Sequence, residues 1–400
     1  MERSDVMDRA LSGKTAIVGI GQTEFSKKSG RSELRLAVEA VSAAIADAGL
    51  RPDEIDGLTT FTHDSSQETD IARSLGMGNL TFMSRVHYGG GAACAVVLQA
   101  VMAVVTGVAK NVVVYRAFNE RSGRRFGAGQ RGQPTGNGSD QIAMSWVLPF
   151  GLLTPASWVA MFARRYMHEF GATSEDFGRV SVVSRRYAAT NPRAWFYGRP
   201  ITLEEHQASP WIVEPLHLLD CCQESDGGVA LVVTSTDRAR DMPQPPVLIS
   251  AAAQGSADDQ HMMTSYYRPT ERLVELPEMA LVAQQMYETA GLGPDDIDAA
   301  IIYDHFTPFV LPQLEAFGFC GRGEAKDFIR DGNLEKDGRL PTNTHGGQLG
   351  EAYIHGVNGI LEAVRQIRGT AANQLDKVDN IVVTAGTGVP TSGLILSRDG

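Results

Sequence analysis

Cysteine is scarce in this 400-residue chain: there are four, two of them adjacent at Cys221 and Cys222. At these spacings they make neither a disulfide framework nor a C-x-x-C metal site, and a reducing cytoplasm is the expected compartment. Basic residues are few as well. Lysine and arginine number 36 against 47 aspartates and glutamates, a net charge of −11, and no basic block is long enough to form a stripe. That argues against a nucleic-acid partner. Met1–Ser12 is charged and lacks the apolar region of a signal peptide. One apolar run, Ala92–Ala109, reaches the lower length limit for a membrane span. Gln99, Thr106 and Gly107 interrupt it and strand-like Asn111–Tyr115 follows at once, so it reads as a buried core helix and no membrane partner is expected. Gly19-Ile20-Gly21 follows a strand, Thr15–Val18, but the third glycine of a dinucleotide fingerprint is missing. No His/Asp/Glu cluster has metal-ligand spacing. Neither a metal nor a cofactor is therefore expected.

What is present is an ordinary globular composition, 43% hydrophobic and 21% charged, at a length that calls for two core units. The chain is also written twice. Residues 49–56 read GLRPDEID and residues 291–298 read GLGPDDID. Each copy follows an alanine-rich helical segment, Glu33–Ala48 or Val274–Ala290, and its proline marks a helix start with acidic residues in the first turn. Each then runs into a short apolar strand ending near a histidine, Leu58–His63 or Ala299–His305. His87-Tyr88-Gly89-Gly90-Gly91 opens the apolar helix before Asn111–Tyr115. Thr344-His345-Gly346-Gly347 likewise opens a stretch through Gly359–Ile367 before the strand Asn380–Ala385. This alternation predicts an α/β fold with a largely parallel sheet, in two similar βαβαβ-type halves related by pseudo-twofold symmetry. The proline-dense Asp241–Pro246 divides them into residues 1–245 and 246–400. Within the first half, Phe118–His217 reads as an inserted loop region, with a flexible Gly127–Gly138, that covers an active-site mouth.

Tandem copies, a Gly-rich helix start after a strand, and N-x-x-G-G…G-x-x-G near the C-terminus resemble the thiolase superfamily. The resemblance spans Ala16–Phe25 through Thr387–Leu394 and is nearest to the sterol-carrier-protein type. Thiolases place a nucleophilic cysteine at the start of the buried helix of the first half. The matching stretch here, His87–Gly91, puts Tyr88 at that position, and Cys94 further on reads as a buried structural residue. The second motif runs from Asn343 to Gly359 and has Tyr353 where thiolases have a histidine, with His355 two residues beyond. The H-D-C-F motif of sterol-carrier-type thiolases reads Tyr303-Asp304-His305-Phe306. The last Gly-rich loop, Ala385–Pro390, has no cysteine. An acyl-enzyme cannot form by the usual route.

Without a nucleophile, the remaining asset of such a site is stabilisation of a thioester enolate. That enolate is the product of retro-aldol cleavage of a β-hydroxyacyl-CoA. Tyrosine serves as base and acid only if its pKa falls from about 10 toward neutral, and His305, His345 and the glycine-loop amides are the donors expected to lower it. No lysine lies in the motifs, so Schiff-base chemistry has no candidate. Y-D-H-F and G-E-A-Y-x-H-G, at Tyr303–Phe306 and Gly350–Gly356, are similar to motifs of the lipid-transfer-protein aldolases of bacterial steroid side-chain degradation. That resemblance implies proton transfer by Tyr303 and Tyr353. Asp304 and His345 are further catalytic candidates, and Tyr88, His305, His355, Gly346, Gly347 and Gly388 are candidates for substrate binding. It implies cleavage of a steroid 17-hydroxy-20-carboxyl-CoA to a 17-keto steroid and propionyl-CoA. It also implies a homodimer bound to a small acyl-CoA-binding partner of OB-fold and zinc-ribbon architecture. Packing readings stay open: Tyr303 closing a strand, Asp304 capping a helix, the histidines supporting neighbours, Tyr88 filling the space of the lost cysteine. Two other functions compete, a non-catalytic acyl-CoA or lipid carrier and a residual acyltransferase using Cys94 or Cys320.

Overall fold

A computed structural model describes residues 11–87, 89–123, 125, 145–260, 263–265 and 268–400. Tyr88 and the Gly127–Gly138 run lie outside the described residues.

Among the described residues, nine of eleven strands form one sheet. They are β1 (Thr15–Gln22), β2 (Gly57–Phe61), β3 (Phe82–Val86), β4 (Asn111–Asn119), β7 (Asp226–Ser235), β8 (Val247–Gly255), β9 (Ala299–Ile301), β10 (Asn380–Thr384) and β11 (Thr391–Arg398), in the order β3-β2-β4-β7-β1-β8-β11-β10-β9. β5 (Trp211–Val213) and β6 (Leu216–His217) make a separate hairpin. The sheet is symmetric about the antiparallel β1/β8 pair. On one side β2/β4 is parallel and β4/β7 and β7/β1 are antiparallel. On the other, β9/β10 is parallel and β10/β11 and β11/β8 are antiparallel. The two halves therefore share one topology, with β3 an addition to the first. The sheet is mixed rather than largely parallel, because parallel pairing needs a helical crossover. The short loop between β10 and β11 allows only an antiparallel return.

Strand alternation sorts the side chains into layers. Val112 and Val114 of β4 face a central core with α2 (Ala95–Val105) and α7 (Val357–Arg368), which also takes Ile381 and Val383 of β10. Val113 and Tyr115 face outward onto α1 (Glu33–Asp47). The outer face of the second half is covered by α3 (Pro155–Phe170), α4 (Ser174–Thr190), α5 (Pro277–Ala290) and α6 (Val310–Ala316). Two sheet halves and three helical layers result.

The region read as an inserted loop is thus largely helical where described, and Phe118 and Asn119 complete β4 ahead of it. Thr154 caps α3 ahead of Pro155, and Val159, Ala160 and Ala163 bury one face. The apolar run from Ala92 is a helix only over Ala95–Val105, after a 3-10 turn at Gly90–Ala92. No helix among the described residues is long and apolar enough to cross a membrane.

The repeated octapeptide makes a single 3-10 turn in each half, Pro52–Glu54 and Pro294–Asp296, rather than an α-helix start. Its final aspartates do matching work. Asp56 accepts the Asn111 N–H at 2.9 Å and Asp298 accepts the Asn380 N–H at 2.9 Å, each pinning the start of a central strand.

Candidate active site

β9 stops at Ile301, and side chains take over where the ladder ends. Asn343 accepts the Ile302 N–H at 2.9 Å and donates to its carbonyl at 2.9 Å, imitating a neighbouring strand. Thr384 Oγ1 accepts the Tyr303 N–H at 2.9 Å, and Gln313 donates to the Tyr303 carbonyl at 2.8 Å. Tyr303 is thereby fixed beyond the carboxyl end of a parallel strand, where α/β sheets form their crevices. It is 3% exposed. Glycines of three separate loops enclose its ring: a Cβ on Gly90 would fall 1.8 Å from Oη, on Gly356 2.8 Å from Cε2, and on Gly386 2.7 Å from Cε1.

Tyr353 arrives from the turn at 350–356, its N–H held by Ser225 Oγ at 3.1 Å. The Tyr303 hydroxyl donates to the Tyr353 hydroxyl at 3.3 Å. His355 packs edge-on to Tyr353, with ring centroids 5.0 Å apart, and stacks on Phe118 at 5.0 Å. Its Nδ1 accepts from Arg116 Nε at 3.1 Å, and Arg116 pairs with Asp64 at 2.9 Å.

The hydroxyl pKa values run opposite to the sequence expectation. Burial pushes both tyrosines above their ordinary value, Tyr353 further through its proximity to Tyr303. Among the described residues neither His305 nor His345 hydrogen-bonds a tyrosine hydroxyl, and His305 meets the Tyr303 ring only edge-on, with centroids 4.8 Å apart. His305 stacks on Phe309 at 5.2 Å with Nε2 3.3 Å from Met263 Sδ, and His345 Nε2 lies 4.0 Å from Glu351. Burial lowers both histidines to about 3, so each is neutral at physiological pH.

Comparisons with known proteins point to one family. A family model described as thiolase C-terminal domain-like matches residues 260–398. A steroid side-chain-cleaving aldolase of Thermomonospora curvata is 71% identical over 389 residues, covering 97% of this chain and 99% of the relative. A 17-hydroxy-3-oxo-4-pregnene-20-carboxyl-CoA lyase of Mycobacterium tuberculosis is 64% identical over 386 residues, covering 96% and 100%. The chain belongs to the thiolase-like steroid side-chain-cleaving aldolases. Among solved structures, an Ltp2-ChsH2(DUF35) aldolase superposes with TM-score 0.93 at 70% identity, covering 97% of this chain and 99% of that one.

In this aldolase-family chain the other sequence candidates are held by contacts of their own. Asp304 Oδ1 accepts the Gln348 N–H at 2.8 Å at the start of the short helix Gly347–Gly350, and burial raises its carboxyl to about 7. Gly347 has no Cβ because one would fall 1.9 Å from Asp304 Oδ2, and a Cβ on Gly346 would fall 2.6 Å from that of Ala188 in α4. Packing alone requires glycine at both positions, which the sequence had suggested as substrate contacts. The Gly388 carbonyl accepts from Gln260 at 2.6 Å. Cys94 is fully buried with Sγ toward the Val383 carbonyl at 3.7 Å, and burial pushes its thiol up, so it offers no thiolate. Burial likewise raises Cys320 to about 12.

Two residues of the site carry no sequence signal. Glu120, directly after β4, is 3% exposed, and its Oε2 finds no hydrogen-bond partner among the described residues. Burial and Glu224 raise its carboxyl to about 8, and it acts electrostatically on both tyrosines. Lys27 donates to the Glu224 carbonyl and lies 5.4 Å over the Trp195 ring, with its pKa lowered by burial to about 8. Neither belongs to a motif; Glu120 comes from the end of β4, and Lys27 from the segment whose Ser26 bridges to Asp226 at the start of β7.

Proposed function

We propose that this chain is a carbon–carbon lyase that cleaves a steroid 17-hydroxy-20-carboxyl-CoA by retro-aldol reaction to a 17-keto steroid and propionyl-CoA. The observation that carries the reading is the pair of tyrosine hydroxyls 3.3 Å apart, enclosed by the glycine loops. The names and full-length identity of its relatives support the substrate class.

Because burial keeps both phenols protonated, the pair works as a neutral relay. One hydroxyl takes the proton of the substrate's β-hydroxyl while passing its own to the second, and the second delivers its proton to Cα. The Cα–Cβ electron pair passes into the thioester as an enolate and then into the new Cα–H bond. Each tyrosine gives one proton and receives one, so neither ends ionised and no outside base is consumed. Hydroxyl hydrogens rotate freely enough to serve either direction, and catalytic hydrogen bonds tighten once substrate is bound. Asp304 positions the 347–350 turn from below. The enzyme works in the cytoplasm as a homodimer, without metal or cofactor, with a small OB-fold and zinc-ribbon partner that binds acyl-CoA. The pairing of Ltp2 with ChsH2(DUF35) in the name of the solved relative supports that partner.

The test is cleavage of the steroid thioester by wild type, Tyr303→Phe and Tyr353→Phe, each with the partner present. Both variants should lose about 10²–10⁴-fold in kcat while still binding the thioester. If wild type binds the ester but releases no propionyl-CoA, the protein is a carrier and the tyrosines are packing.

A further inference from the structure

We infer that Glu120 is a positioning residue for the tyrosine pair, bracing Tyr353 through Ser225 and doing so as an uncharged carboxylic acid. The inference rests on the retro-aldol reading and adds to it a residue that the sequence motifs do not contain.

The brace follows from strand register. β4 and β7 run antiparallel with Asn119 opposite Asp226, so the next residue on each side, Glu120 beyond β4 and Ser225 ahead of β7, face one another. The Ser225 N–H hydrogen-bonds the Glu120 carboxyl, and the Ser225 hydroxyl oxygen accepts the Tyr353 N–H at 3.1 Å. One buried residue thus joins the carboxyl to the backbone of a proton-transfer tyrosine. The main chain around Glu120 is fixed as well. Asp226 accepts the N–H groups of Ser29, Arg121 and Ser122, each at 3.0 Å, and so closes the turn that follows β4.

Protonation follows from what surrounds the carboxyl. Glu120 is buried, and its Oε2 has no hydrogen-bond partner among the described residues. The titratable groups that face it from neighbouring elements are Lys27, Arg116, Cys222 and Glu224, besides the two tyrosines. Neither cation is spent on it: Lys27 donates to the Glu224 carbonyl, and Arg116 pairs with Asp64 at 2.9 Å. Glu224 adds a charge of the same sign. A buried carboxylate without a partner costs more than the neutral acid, so the proton stays on, in keeping with a carboxyl raised by burial to about 8. The neutral form is also the one the reaction needs. Negative charge passes from the β-oxygen to the thioester as the Cα–Cβ bond breaks, and an ionised Glu120 disfavours negative charge at both tyrosines. Below pH 8 the acid is protonated and the rate is insensitive to it. Above pH 8 it ionises and the reaction slows, so the loss lies on the alkaline side. The proton never leaves Glu120 during turnover, and the balance of the tyrosine relay is unchanged.

The test is the pH profile of kcat for wild type, Glu120→Ala and Glu120→Gln, each with the partner present. Glu120→Ala removes the brace, and kcat should fall about 10²-fold, the effect of misplacing a reacting group by about 1 Å. Glu120→Gln keeps an oxygen to accept the Ser225 N–H but cannot ionise. It should bring kcat at neutral pH back to within about threefold of wild type and hold that rate above pH 8, where wild type declines. Full kcat in Glu120→Ala overturns the brace. Glu120→Gln as slow as Glu120→Ala overturns the uncharged role, because the carboxyl must then give or take a proton. An alkaline decline unchanged in Glu120→Gln overturns it too, and assigns the decline to Lys27, whose ammonium burial lowers to about 8. Wild type alone is also decisive: a kcat that rises through pH 8 makes the carboxylate the active form. If wild type cleaves no steroid thioester at any pH, the retro-aldol reading has failed instead. Infrared difference spectra of wild type against Glu120→Gln at neutral pH then still decide the protonation. A protonated-carboxyl band lost in the variant upholds the uncharged acid, and a lost carboxylate band overturns it.

Discussion

Gly90 is a position where a single methyl group would be felt at the reacting atoms. A Cβ there would stand 1.8 Å from the Tyr303 oxygen, and Tyr303 cannot retreat because Gly356 and Gly386 close on its other edges. Gly90→Ala should therefore displace the hydroxyl from Tyr353 and lower kcat by about 10²-fold, the usual consequence of a misplacement near 1 Å. Its melting temperature should change far less than that of a core truncation. Steady-state kinetics beside thermal melts check it, and an alanine variant with full kcat would mean that the pair does not need its present spacing. The tyrosines themselves were legible in the sequence because each stands inside a recognisable run, Tyr303-Asp304-His305-Phe306 and Gly350–Gly356. Their elevated pKa values were not. Whether a donor lowers a phenol's pKa or burial raises it depends on ring orientation, and His305 turns its ring onto Phe309 and its nitrogen onto Met263.

At the scale of elements, the duplicated octapeptide carries a prediction of its own. Asp56 accepts from the Lys110 and Asn111 N–H groups, and Asp298 from those of Asp379 and Asn380, so both copies brace the first residue of a strand in the middle of a half-sheet. Asn111 and Asn380 return the favour, donating to the carbonyls of Glu54 and Asp296 at 2.8 and 3.1 Å. Asp56→Ala and Asp298→Ala should each cost about 1–3 kcal/mol, the usual result of leaving strand-start N–H groups unpaired beside a lost charged acceptor, without changing kcat by more than a few-fold. Urea unfolding of the two variants checks this, and a cost in only one half would show that the repeats have diverged in their structural work. The repeat was visible as spelling, but its product, a 3-10 turn clamped to a distant strand, was not. Strand direction was missed for a related reason. The alternation of elements reveals crossovers, whereas β7 and β11 return antiparallel through connections that carry no periodic signal. The helices between β4 and β7 were hidden by a composition of arginine, tryptophan and glycine, although Val159, Ala160 and Ala163 keep helical spacing.

For the whole molecule, the number of ionisable groups kept uncharged inside it sets how stability responds to pH. Asp304 and Glu351 are raised to about 7 and Glu120 to about 8, in each case chiefly by burial, while His305 and His345 are lowered to about 3. The signs oppose one another. Below about 6.5 the unfolded chain binds protons at histidines that the folded chain leaves neutral, so stability falls toward acid. Above about 4.3 the unfolded chain releases carboxyl protons that the folded chain retains, so stability falls toward alkali until the folded carboxyls ionise at 7 to 8. Between these limits the two groups offset each other. From pH 6.5 upward only the carboxyls remain, and each retained proton costs about 1.4 kcal/mol per pH unit. Melting temperature should therefore decline from pH 6.5 to about 8 and then level off. General self-repulsion at a net charge of −11 gives a slope of the same sign, but it is screened by salt, whereas buried carboxyls are not. Melts across that range in low and high salt separate the two causes. The slope should survive high salt in wild type and become shallower in Glu120→Gln, which has one proton fewer to retain. A slope abolished by salt, or the same in Glu120→Gln as in wild type, would place the pH response on the surface and leave Glu120 ionised in the fold.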